Sequence, residues 1–206
     1  MSLRKTLFAL TYDRMSRKSE EAGLASMREG LLAGAAGRVL EIGGGTGANL
    51  PFYGAKRESL VVTEPEPAML RRLRQKASER APLAELVPAR AEDLPFADTS
   101  FDTVVSTLVL CGVDDQERSL REIRRVLRRG GRLLFLEHVR ADDPSLARFQ
   151  DRINWLNRLL VGCDCNRATL ASMETAGFTI SRLEHTALPK APRFVRPLIV
   201  GEATSV

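Results

Sequence analysis

The chain is short of aromatic residues, cysteines and long apolar runs, and each shortage removes a class of protein. One Trp, two Tyr and eight Phe in 206 residues offer no stacking platform for single-stranded nucleic acid. Three cysteines, Cys111, Cys163 and Cys165, cannot build a disulfide framework, so free thiols and a reducing, cytoplasmic location are expected. The longest apolar stretches, within 101–113 and 132–136, are interrupted and far shorter than the about 20 residues of a membrane span. The opening MSLRKTLFAL lacks the apolar core and cleavage site of a secretory signal. No repeat or low-complexity tract is visible.

What is present is ordinary globular material, 44% hydrophobic and 28% charged, which argues against overall disorder. The net charge of +5 comes far more from arginine than lysine and permits acidic partners without requiring nucleic acid. A chain of this length buries about 70% of its unfolded surface, enough to fold without a metal or disulfide. One domain over 1–206 is expected.

Apolar spacing predicts an amphipathic helix over 3–18 and a second helix over 19–33, stopped by Gly34 and Gly37. Strand and helix patterns then alternate. Strands are expected at 38–42, 60–64, 83–89, 101–107 and 132–138. Helices are expected at 67–80, opened by Pro67, and at 114–127. Helices over 144–160 and 166–176 precede two closing strands, 178–185 and 195–203. This alternation predicts an α/β fold with a mostly parallel sheet, helices on both faces and an antiparallel closing hairpin. Ligands of such sheets bind beyond the carboxyl ends of the strands, so functional residues should follow Ile42, Val62, Ala89, Ser106 and Leu136.

The sharpest local signal is Glu41-Ile42-Gly43-Gly44-Gly45-Thr46-Gly47. Glycines after a first strand let the backbone approach a ligand. Gly43, Gly45 and Gly47 fit G-x-G-x-G, while Gly43, Gly45 and Ala48 also fit a dinucleotide fingerprint. Glu64, ending the second strand before Pro65, can accept both ribose hydroxyls of a nucleoside ligand. Neither element separates a nicotinamide site from one for S-adenosylmethionine.

The run Ala91-Glu92-Asp93-Leu94-Pro95-Phe96, then Ser100-Phe101-Asp102, and later Leu127 with Gly130-Gly131-Arg132, resembles class I S-adenosylmethionine-dependent methyltransferases. The resemblance covers about residues 38–140. It implies a Rossmann-like class I fold of seven strands, mostly parallel with an antiparallel last strand. It implies S-adenosyl-L-methionine as cofactor and S-adenosyl-L-homocysteine as product. Glu41 would orient the glycine loop, and Gly43, Gly44, Gly45 and Gly47 would approach the methionine portion. Glu64 and Pro65 would hold the ribose side, and Ala91 and Glu92 would border the adenine. Arg90 stands where many relatives carry an acid for the adenine amine. Thr107 would lie near the transferred methyl, and Tyr12 would close over the methionine carboxylate. The parts implied are a helical lid (1–34), a cofactor-binding core (35–140), and acceptor-side helices with closing strands (141–206).

Further motifs, Thr107-Leu108-Val109-Leu110-Cys111, Leu136-Glu137-His138-Val139, Gly162-Cys163-Asp164-Cys165-Asn166-Arg167 and Val195-Arg196-Pro197, resemble the alkyl thiol S-methyltransferase family of microsomal methyltransferases. Those relatives begin with a hydrophobic membrane-associating stretch that MSLRKTLFAL does not match. A small-molecule acceptor, first of all a thiol, is implied. A phospholipid amine, a quinone or another O- or N-acceptor is the enzymatic rival, and a non-catalytic cofactor-binding module or a nicotinamide oxidoreductase the non-methyltransferase ones. A thiol, with a pKa near about 8.5, needs only a weak base. His138, just past the fifth strand, is the candidate catalytic base, whereas His185 in a closing strand reads as structural. Cys163–Arg167 reads as acceptor-pocket wall and Cys111 as core or wall. A lone C-x-C is no metal site, since zinc needs four ligands, so none is expected. The arginines of 118–132 read as a solvated face paired with Glu117 and Glu122. The basic residues of 3–18 allow weak peripheral contact with an anionic bilayer.

Overall fold

The computed structural model describes residues 3–205, and for 3–10 the backbone only. The leucine stripe and the basic residues expected on the first ten positions therefore lie outside the described side chains. Helix α1 (Leu3–Ser19) runs into a π-helical turn (Glu20–Leu24) and then α2 (Ala25–Leu32). The expected single helix over 19–33 is thus two pieces, because Gly23 at φ +132° breaks it and only glycine adopts that conformation without strain.

Seven strands form one sheet in the order β3-β2-β1-β4-β5-β7-β6. They are β1 (Gly37–Ile42), β2 (Arg57–Thr63), β3 (Glu85–Val87), β4 (Phe101–Thr107), β5 (Leu127–His138), β6 (Phe178–Ala187) and β7 (Pro197–Ser205). The first five are parallel, and β7 lies antiparallel between β5 and β6. The central strands read as near-continuous apolar runs because both faces are covered. Leu133 and Phe135 point into one core layer, and Leu134 and Leu136 into the other, as the two-residue period of a strand requires.

The helices start where the chain supplies caps. Helix α3 (Pro67–Arg80) has its proline in the first turn, while α4 (Gln116–Val126) and α5 (Pro144–Val161) are N-capped by Asp115 and Asp143. Both aspartates accept a backbone N–H three residues on, at 2.9 and 2.8 Å, each such cap stabilising by about 1 kcal/mol. Helix α5 ends at Gly162 in the left-handed region, and α6 (Thr169–Thr175) follows.

Three boundaries differ from expectation. Strand β3 shrinks to three residues because it is an edge strand that pairs only with Val61–Thr63; Leu83 is 97% exposed. Strand β5 begins at Leu127 rather than 132, since Leu127 already pairs with Phe101 before a register shift between Phe101 and Thr103. Helix α6 is shorter than 166–176 because 163–168 is tied down as a loop: Asp164 N–H donates to Cys111 O at 2.8 Å, and Arg140 N–H to Arg167 O at 3.0 Å. Arg118, Arg121, Arg124, Arg128 and Arg129 are exposed as expected, whereas Arg125 is half-buried. Arg125 donates to the carbonyls of Leu94 and Phe96 and pairs with Glu122 and Asp98. Strand order reverses between β1 and β4, so the crevice opens above their carboxyl ends.

Candidate active site

On the β1–β2 side the glycine loop and Glu64 hold each other. Glu64 Oε2 accepts the Gly45 N–H and Oε1 the Glu66 N–H, both at 2.8 Å. Burial raises its pKa, opposed by those two N–H donors. A carboxylate has about four lone-pair positions, so two remain for ribose hydroxyls. A Cβ on Gly44 would stand 2.3 Å from a Val62 methyl, whereas one on Gly45 (φ +56°) would meet nothing nearer than 4.0 Å. Gly44 is therefore demanded by packing, as are Gly43 against Val109 and Gly47 against Leu50. Gly45 is the position where bare backbone faces open space, and the residues present fit an adenosyl ligand there. Pro65 sits exposed on the rim.

Behind the loop, Glu41 is 2% exposed. It accepts from Asn49 Nδ2 at 2.9 Å and from the Tyr53 hydroxyl at 2.7 Å. Burial raises the pKa of Glu41, and burial with the Glu41 charge pushes Tyr53 well up. Asn49 Nδ2 also reaches Thr107 Oγ1 at 2.9 Å, and Arg28 Nη1 donates to Asn49 Oδ1 at 2.8 Å and Thr107 Oγ1 at 3.0 Å. Thr107 thus joins the end of β4 to the cofactor side. From α1, Tyr12 packs on Ala68 and Met69. Asp13 accepts from Thr46 Oγ1 and from Lys76 Nζ at 2.9 Å. Burial alone would raise the Asp13 pKa, but the Thr46 and Lys76 bonds hold it below the usual range. Sequence reasoning does not single out Arg28, Asn49 or Asp13, and reaches Thr46 only as a member of the glycine motif. An arginine in a helical run reads as solvated, although Asn49, two residues past Gly47, carried a weak positional signal.

Ala91 is buried. Glu92 accepts the Asp114 N–H at 2.8 Å and pairs with Arg90. Its side chain therefore fastens the loop before α4. Arg90 binds Glu92 and Asp114.

At the ends of β4 and β5, Ser106 Oγ and the Val109 N–H donate to Glu137 Oε1 at 2.6 and 3.1 Å, and burial raises the Glu137 pKa. His138 is 6% exposed, with Nε2 2.6 Å from Cys163 Sγ. Burial alone lowers its pKa, but the neighbouring Cys111 and Glu137 outweigh this and leave it raised above 6.5. The Cys111 thiol is pushed well up by its bond with Cys163 and by burial. Ligand atoms of Cys111, His138 and Cys163 lie within 4.8 Å of one another. The set offers three ligand atoms, one short of the four of a closed tetrahedral zinc site. Cys165, expected in the pocket wall, is fully buried against Asn154 and Gln150. His185 is exposed on the edge strand β6, 3.7 Å from Asp142.

A methyltransferase-domain family model matches residues 40–135. The chain is 35% identical to human thiol S-methyltransferase TMT1A over 95% of its length and 82% of that protein. It is 37% identical to human TMT1B over 96% and 84%. A phosphatidylethanolamine N-methyltransferase of Cereibacter sphaeroides is 37% identical over 58% of this chain and 63% of its own. A SAM-dependent methyltransferase structure from Thermotoga maritima superposes with a TM-score of 0.74 at 23% identity, covering all of both chains. With the crevice over β1 and β4, the open backbone at Gly45 and this extent of identity, the chain belongs to the class I S-adenosylmethionine-dependent methyltransferases.

Proposed function

We propose that this enzyme methylates a small-molecule thiol. The observation that carries the reading is the His138–Cys163 contact on the acceptor side of the crevice, in a chain similar over nearly its whole length to thiol S-methyltransferases. Nε2 of His138 already faces a sulfur, the kind of atom an acceptor thiol would present to it in place of Cys163. When bound, S-adenosylmethionine supplies an electrophilic methyl on a sulfonium sulfur. Glu64 and the Gly45 backbone would hold the adenosyl part, Ala91 and the Glu92 backbone would border the adenine, and Thr107 would form the floor near the methyl. His138 would accept the acceptor's proton at Nε2, leaving a thiolate able to take the methyl carbon in line while the cofactor's sulfur leaves as the thioether of S-adenosyl-L-homocysteine. Alignment of nucleophile, methyl and leaving sulfur contributes up to roughly 7–11 kcal/mol, and the base about 10²–10⁴-fold.

The test is a panel of alkyl thiols, phenols, phosphatidylethanolamine and quinols with labelled cofactor. Label transfer to thiols is expected, and label only on phenols, lipid amines or quinols removes the reading.

We read 1–206 as one domain, with 1–34 as its lid, working where Cys111 and Cys163 stay reduced. No helix among the described residues is long and apolar enough to cross a membrane. We place peripheral membrane contact on α5 rather than α1. Trp155 and Leu160 are 67% and 64% exposed there, with Phe149, Leu156 and Leu159 also exposed. Arg148 and Arg152 share that face at helical spacing, the composition of a helix resting on anionic lipid. Co-sedimentation with phosphatidylglycerol vesicles, reduced severalfold by Leu160→Asp, checks this; equal sedimentation with phosphatidylcholine vesicles argues against it.

A further inference from the structure

Arg28 is a buried charge that the reaction above does not use. It is 3% exposed, and moving a guanidinium out of water is costly unless its partners are excellent. Its Nη1 reaches Asn49 and Thr107, both neutral. Its only carboxylate partner among the described residues is Glu20, at 3.1 Å from both Nε and Nη2.

The two ends of this pair are held very differently. Arg28 stands on α2, whose Leu31 and Leu32 are sunk in the core. Asn49, fixed by Glu41, faces it with its carbonyl oxygen. Glu20 stands at the start of the π-helical turn, whose Ala25 N–H bonds back to Glu20 O around a kink at Gly23 (φ +132°). Such turns are rare and gather at functional sites. The Glu20 side chain is 22% exposed, so it reaches solvent when the turn rotates, while Arg28 cannot.

The cation therefore lies beside the end of β4 and the residue two past the glycine loop, next to the crevice, with a removable counterion. A planar guanidinium fork matches a carboxylate in bidentate fashion. The other cations near the loop, Arg72 and Lys76, are 32% and 40% exposed and already held by Asp13.

We propose that Arg28 receives the α-carboxylate of the cofactor's methionine portion and that Glu20 holds that place in the free enzyme. One carboxylate exchanges for another, so the buried cation stays neutralised in both states. The inference rests on the family's cofactor and not on the identity of the acceptor.

The experiment is calorimetric binding without acceptor, using S-adenosylmethionine and its decarboxylated analogue. The wild type is expected to prefer the carboxylate-bearing form by about 100-fold. Arg28→Gln should weaken S-adenosylmethionine by about that factor and leave the analogue within about threefold, so that the preference collapses. Glu20→Gln should tighten S-adenosylmethionine severalfold by removing the competitor. Equal weakening of both ligands in Arg28→Gln, or an unchanged preference, overturns the proposal. If Arg28→Gln loses its cooperative thermal transition, Glu20→Gln decides alone: tighter S-adenosylmethionine with an unchanged analogue supports it, and no change refutes it. Failure of the thiol panel leaves these binding results untouched, so the two readings fail separately.

Discussion

The two halves of the crevice are built on opposite rules. On the cofactor side, Glu41, Asn49, Thr107 and Arg28 are cross-connected by hydrogen bonds of 2.8–3.0 Å, and Glu64 separately ties the Gly45 and Glu66 N–H groups at 2.8 Å. On the acceptor side, Glu137 Oε2 and His138 Nδ1 are buried without a hydrogen-bond partner among the described residues, against Arg72 Nε alone at the outer edge of the cofactor side, and two thiols crowd one imidazole. Buried polar atoms are almost always satisfied, and the exceptions call for an explanation. A saturated network fixes one shape and suits a cofactor that never varies. An undersatisfied cluster keeps capacity for a group that arrives and leaves. The halves therefore differ in what mutation should break.

The largest expected effect is on the acceptor side. His138→Asn should lower kcat/KM for a thiol by about 10²–10⁴-fold while leaving cofactor affinity within a few-fold. The wild-type pH profile sharpens the point. The imidazole pKa is raised in the fold, so the proton-accepting form prevails only above a midpoint higher than 6.5, and the rate should climb through it. That limb should vanish in His138→Asn, leaving only the titration of the acceptor thiol. An unchanged profile would show that the imidazole is not the base.

Next comes the cofactor side. Glu64→Ala removes two N–H acceptors that fix Gly45 and Glu66, along with the ribose partner. Cofactor affinity should fall by about 100-fold, read by calorimetry, with the rate at saturating cofactor little altered. If kcat falls and affinity does not, the division between the halves fails.

The smallest effect separates two adjacent glycines. Gly44→Ala drives a methyl against Val62 and should cost about 1–3 kcal/mol of stability in denaturant melts. Gly45→Ala meets no protein atom, so its loss of stability should be confined to the left-handed backbone, about 1–2 kcal/mol. Its larger signature should be lost cofactor affinity, because the methyl enters the open space. Equal affinities in both variants would mean that the space at Gly45 is not the binding face.

Sequence alone placed the strand–helix alternation, the glycine bend, Glu64 and His138, because these rest on local spacing. Apolar runs bounded by glycine read as buried strands whatever surrounds them, and an acid ending the second strand falls at the crevice by topology. The short β3, the early start of β5 and the loop at 163–168 depend on which neighbour each segment pairs with, and no local pattern carries that. The same holds for Arg28, Asn49 and the cluster of Cys111, His138 and Cys163. Their members are 21 to 79 residues apart along the chain wherever a hydrogen bond joins them. Local chemistry determined which elements form and where a ligand must lie. Only the tertiary fold decided which charges are buried, which thiols meet the imidazole and which glycine is open, because burial and contact belong to the assembled core.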